Sequence, residues 1–148
     1  MEELFKAIFR RWTEDELAEC RDLVTGGFWP NLAKENASRP YITYAALPGS
    51  TEPTNTSMLE LVPVQFTIYT AERHAIDGDA RSGARLALQI RDRLVAGYDD
   101  VLLTLTEEDV EGASMVMVRA ARQTPGHLLD DPDDNGFMMP VDYLFEYG

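Results

Sequence analysis

Asp131, Asp133, Asn135 and Gly136 fall on the D-x-D-x-N-G spacing that opens a calcium-binding loop. Calcium takes hard oxygens presented by a tight turn, and Asp142 stands where such a loop places its closing carboxylate. Three features count against a metal site here. The flanking segments read as strands rather than helices. The closing residue is an aspartate within a strand, not a bidentate glutamate. Pro132 stiffens the loop. The same residues read more simply as a solvated hairpin turn in which Asn135-Gly136 supplies positive φ. We adopt that reading and keep Asp131, Asp133 and Asn135 as the alternative metal set.

Other chemistry is sparse. Cys20 lies in a helical pattern, and neither His74 nor His127 sits in a signature that would activate it as a nucleophile. There is no glycine-rich phosphate loop, no G-x-S-x-G and no His/Cys metal spacing. The acidic pairs at 99–100, 107–109 and 130–134 are sequence neighbours, and nothing in the pattern splits their pKa values for acid–base work. Arg81, Arg85, Arg91 and Arg93 form the one basic cluster, with Asp92 among them, and read as a solvated helix face. The residues therefore point to no enzyme and call for no cofactor.

The bulk properties agree. The chain has 148 residues, one domain's worth over 1–148, and is 45% hydrophobic, enough for an ordinary core. Thirteen basic residues against 26 acidic ones give a net charge of -13. That balance argues against broad nucleic-acid binding and against an anionic membrane surface. A single cysteine rules out an internal disulfide. The N-terminus has no signal-peptide pattern, and no run reaches a membrane span, so a cytoplasmic protein is expected.

The elements are built around residues 59–98. Val62, Val64, Phe66 and Ile68 alternate with Pro63, Gln65, Thr67 and Tyr69, the period of a half-buried strand. Pro63 places part of that strand at an edge or a bulge. An amphipathic helix follows to Tyr98, capped by Asp77 or Asp79, with Gly83, Leu86, Ala87, Ile90 and Leu94 on one stripe and Gly97 at its end.

Ahead of this unit, residues 2–12 form a helix with Leu4, Phe5, Ile8, Phe9 and Trp12 on one face, which packs on the sheet. Thr13 and Glu16 match a capping box for a second helix over 14–25, ended by Gly26-Gly27. Residues 28–39 read as an irregular connection. A strand at 41–47 is joined to the central one by a polar hairpin loop, 48–57. Beyond the central helix come strands near 101–106, 115–123 and 137–147. The last alternates strongly, with Phe137, Met139, Val141, Tyr143, Phe145 and Tyr147 on one face. The expected fold is α+β: a single domain with a mainly antiparallel sheet of about four to five strands and the N-terminal and central helices packed on it.

The order of elements, the Gly-Gly-x-x-Pro connection at 26–30, the PYITY and VQFTIYT strands, the helix ending IRDRL and the last strand VDYLFEY resemble the tail-completion, or tail-terminator, proteins of long-tailed bacteriophages, prophages and gene transfer agents. The likeness spans roughly Met1 to Tyr147. It implies an α+β structural protein that forms a ring, typically a hexamer, on the head-proximal end of the tail tube. The ring stops tube polymerisation and joins the head connector. Its implied partners are its own copies, the tail-tube protein and the connector, with DNA passing through the lumen unbound and no membrane involved. Its implied location is the host cytoplasm during assembly and then the virion. The resemblance transfers no site residue by residue.

Site expectations are therefore physical. Loop residues Gly49, Ser50, Thr51, Glu52, Thr54 and Asn55, and hairpin residues Asp130, Asp131, Asp133 and Asp134, are expected as exposed contacts with neighbours. The longer N-terminal helical region and the Asp-rich hairpin depart from shorter family members, which keeps open a head-completion or connector role. A calcium- or ligand-binding module around 130–136 is the alternative from another class.

Overall fold

The computed structural model describes residues 2–47, 52–53, 60–76, 79–99, 102–104, 117–122, 126–131 and 135–147. Among these residues there are three helices: α1 (Glu2–Trp12), α2 (Ala18–Leu23), preceded by a 3-10 turn at Asp15–Leu17, and α3 (Gly83–Tyr98). The strands are β1 (Phe28–Pro30), β2 (Tyr41–Ala46), β3 (Glu52–Pro53), β4 (Glu60–Ala71), β5 (Arg73–Ile76), β6 (Asp79–Ser82), β7 (Leu102–Thr104), β8 (Met117–Arg122), β9 (Leu129–Asp130) and β10 (Gly136–Tyr147). The main sheet runs β1-β2-β4-β10-β8-β7, with β3 attached to β4 and β9 to β10. Only β1 and β2 pair in parallel; the other pairings in this sheet are antiparallel. The α+β class and the mainly antiparallel sheet are as expected, although the short strands make the sheet wider.

The sheet is built on β4 and β10, twelve residues each, paired from Gly136↔Ala71 to Tyr147↔Glu60. Alternation sends Val62, Val64, Phe66 and Ile68 of β4, and Met139, Val141, Tyr143 and Phe145 of β10, to one face, where all eight are buried. Ile42 and Tyr44 of β2 join them. The helices cover this face. Phe66 lies at its centre, with the rings of Tyr98 at 5.0 Å, Tyr143 at 5.4 Å and Phe28 at 6.0 Å. α1 docks Leu4, Ile8 and Trp12 here, and Trp12 stacks on Phe28 at 4.3 Å. Tyr98 spans the layers: fully buried, its hydroxyl donates to the Ile8 carbonyl at 2.6 Å.

Several local expectations are corrected. Thr13 forms no capping box; its hydroxyl donates back to the Arg10 carbonyl, and the helix expected over 14–25 is a 3-10 turn followed by six helical residues. The cap of α3 is neither Asp77 nor Asp79 but Ser82, whose Oγ accepts from the Arg85 amide at 3.2 Å. The helix starts later because Arg73–Ile76 and Asp79–Ser82 pair as a two-stranded hairpin, in a stretch whose residue pattern showed no strand. Gly97 lies inside α3, and its missing side chain makes room for Leu17 against the helix. Gly83 has a parallel role: a β-carbon there would overlap the Ala71 carbonyl oxygen, so glycine lets α3 start directly over the end of β4.

Pro63 is not on an edge strand, since β4 lies between β2 and β10. It sits where one neighbour gives way to another: β2 pairs no further than Val64, β3 begins at Leu61, and the Pro63 carbonyl accepts from Leu47 at 2.9 Å. Pro140 of β10 occupies the equivalent place, between the β9 pairing at Phe137 and Met138 and the β8 pairing from Tyr143 onward. A residue without an amide proton is tolerated where a ladder is interrupted. The outer strands of the main sheet, β1 and β7, have three residues each.

Candidate interaction surface

The second face of the sheet carries no helix among the described residues. Alternation places there Tyr41, Thr43 and Ala45 of β2, Leu61, Pro63, Gln65, Thr67 and Tyr69 of β4, and Met138, Pro140, Asp142, Leu144 and Glu146 of β10. Thr43 and Thr67 are buried by their neighbours and the rest are half-buried. The result is a surface of mixed apolar and polar character. Gln65 donates to Asp142 across the strand pair at 2.9 Å, which fixes the Asp142 carboxylate on this face and away from any role in closing a calcium loop.

One end of this face is organised by a buried ion pair. Arg39, just ahead of β2, donates to the Asp131 carboxylate at 2.5 Å and to the Thr70 carbonyl at 3.1 Å. Its guanidinium also lies 5.9 Å from the Tyr41 ring and 5.5 Å from the Tyr69 ring, two rings 4.9 Å apart across β2 and β4. The side chains of Arg39 and Asp131 are 14% and 6% exposed, so both charges are largely out of water. Asp131 is held from the other side too, its amide donating to the Gly136 carbonyl at 3.1 Å. The ion pair thus ties the β9–β10 hairpin to the segment entering β2. A hollow of about 240 Å³ beside it is lined by Asn31, Leu32, Arg39, Tyr41, Tyr69 and Asp131. Burial, first among several causes, pushes the Tyr69 hydroxyl above its ordinary pKa, so this wall stays neutral.

His74 reports on the same charge. Its Nε2 accepts from the Ala71 amide at 2.8 Å, which requires the neutral ring with its proton on Nδ1. Burial, and secondly the Arg39 guanidinium, lower its pKa below 6.5. A histidine depressed in the folded state favours folding above its unfolded value and loses that contribution as pH falls through the folded value. Stability is therefore expected to drop as pH falls from 6.5 toward the folded-state value of His74, and His74→Gln should flatten that part of the profile. Denaturant titrations across that window check this; equal slopes in both proteins would refute it.

The thiol of Cys20 is not poised for chemistry. It is fully buried, its Sγ faces the Ile90 carbonyl at 3.8 Å, and burial pushes its pKa up to about 12. A reactive cysteine needs the opposite, a lowered pKa and access.

The expected contact residues are distributed unevenly. Asp130 is exposed on β9. Asp131 is not an exposed contact; it is bound to Arg39, and a cation would have to displace that guanidinium. Asn135 is exposed beside it. Glu52 lies in β3. Gly49, Ser50, Thr51, Thr54, Asn55, Asp133 and Asp134 lie outside the described residues. Among the described residues, no three His, Cys, Asp or Glu side chains gather as a metal site requires. Sequence reading missed Arg39 altogether. Its partner is 92 positions away, and the available signal was a cation directly before the PYITY strand.

The chain matches no family model, and no curated protein matches it.

Proposed function

We propose that this protein is a structural assembly protein of the tail-terminator kind: a ring that caps the head-proximal end of a phage tail tube and joins it to the head connector. The observation that carries this reading is the one-sided sheet. Among the described residues, helices pack on only one of its faces, and the other is left as a surface for neighbours. Its extent suits that use. Twelve residues at about 3.3 Å each make β4 and β10 roughly 40 Å long, and with the shorter β2 and β8 the face projects on the order of 600 Å². A standard interface takes about 800 Å² from each partner. The strand patterns shared with tail-completion proteins, and the net charge of -13, support a ring whose lumen lets DNA slide without gripping it. On this reading the partners are its own copies, the tube protein and the connector, and the protein moves from host cytoplasm to virion.

Light scattering across a concentration series, followed by negative-stain imaging of the largest species, tests the proposal. Rings with an open lumen are expected. A strict monomer at every concentration, with or without tube protein, would sink the reading. Calcium titration separates the alternative module: a calcium site would raise thermal stability by mass action, and a committed Arg39–Asp131 pair predicts no rise.

A further inference from the structure

The arginines set aside above as a solvated helix face gain a second meaning once the fold is known. Residues 73–98 hold five arginines and three aspartates, whereas the rest of the chain holds eight basic and 23 acidic residues. Arg73 and Arg81 lie on β5 and β6, whereas Arg85, Arg91 and Arg93 lie on α3 with Asp92. Arg85 and Arg93 are exposed, Arg91 is half-buried, and Leu88 stands 40% exposed among them. A groove of about 440 Å³ between α2 and α3 runs alongside, lined by Leu23, Arg81, Gln89, Asp92, Arg93 and Ala96.

The carboxylates facing these arginines are Asp92, on Arg91 at 3.0 Å, and Glu19, on Arg93. Both acids are well exposed, so the pairs are loosely held and easily exchanged for others. An apolar centre ringed by arginine is the composition that interface cores favour.

α3 packs on the covered face of the sheet, so its arginine side and the open sheet face look in opposite directions from one protomer. By register this face carries Glu52, Asp142 and Glu146 against one cation, Arg119, which stands opposite Glu146. We propose that the arginine face of α3 on one copy docks on the acidic open sheet face of the next. This rests on the ring reading and deepens it by naming the two halves of the contact. Two different surfaces meeting head to tail make a heterologous interface, which closes into a ring where the rotation per copy permits and runs on as a filament where it does not.

The test uses the full chain in four forms: wild type, Arg85→Glu with Arg93→Glu, Glu146→Arg, and all three changes together. Thermal unfolding first checks that each folds as wild type does. Light scattering then gives the concentration at which each assembles. Either reversal alone should raise that concentration at least about tenfold by placing like charges together, and the combined form should recover, because complementarity returns with exchanged signs. Wild-type assembly should also weaken with salt.

If wild type assembles and both reversals assemble equally well, this docking is overturned while the ring reading stands. If wild type does not assemble under any condition, the ring reading falls and takes this one with it. If the arginine variant instead loses salt-sensitive binding to duplex DNA with assembly unchanged, the helix face serves a polyanion and the proposal is wrong.

Discussion

Phe66→Ala should cost about 3–5 kcal/mol, the range for emptying a fully enclosed aromatic site. Phe66 has no exposed surface, and five rings surround it: Phe28, Tyr44, Tyr98, Tyr143 and Phe145. Those rings come from β1, β2, α3 and β10, so no single element can move in to fill the void. Phe66→Leu keeps most of the volume and should cost under about 1.5 kcal/mol. In a domain of this size the alanine change should lower the melting temperature by roughly 10 °C. Denaturant titration of the three proteins checks the ratio. Equal losses for Ala and Leu would show that the site collapses and that Phe66 is not the centre of the core.

The second large effect belongs to the ion pair. Arg39→Met leaves the Asp131 carboxylate, 6% exposed, without its cation. Stranding one charge of a buried pair costs about 3–5 kcal/mol, whereas exchanging both partners for apolar groups is often nearly neutral. Asp131→Leu alone should be comparably harmful, and Arg39→Met with Asp131→Leu should recover most of the loss. A double-mutant cycle measures that coupling directly; additive losses would refute a tight pair. The cycle has an internal marker. Arg39 is one of the two causes that depress His74, so Arg39→Met should also move the His74 titration upward, back toward 6.5, in a proton NMR series.

Much of the frame was readable before the coordinates. α1 has the bounds that its apolar face and terminal charges dictate, and β4 and β10 bury the faces that alternation assigns. These elements are long and bury one side, so each carries its own signal. What escaped was short or defined from a distance. β1 has three residues and exists because β2 offers a parallel partner, a fact that resides in β2. The β5–β6 hairpin lacks an alternating apolar set, so its residues carried no strand signal. The capping box had the right letters at Thr13 and Glu16, yet Arg11 draws the nearby carboxylates instead, with Glu14 at 2.8 Å and Glu16 at 3.4 Å. The Asp131 motif was legible as a turn, but its electrostatic partner was not. Spacing rules see neighbours in sequence, and the relevant neighbour arrives from the other end of the fold.

The two prolines in the central strands bear on a hazard that every β-rich chain faces at high local concentration. A twelve-residue strand is an efficient template for a strand from another molecule, and one exchange can seed an endless cross-chain ribbon. Here each long strand loses an amide proton partway along, at Pro63 and Pro140, at the point where its outer neighbour changes. An uninterrupted ladder can therefore run no further than the eight residues from Val64 to Ala71 on β4 or the seven from Val141 to Tyr147 on β10. Each proline shortens the template that its strand offers, which weakens strand exchange relative to whatever ordered contacts the molecule makes.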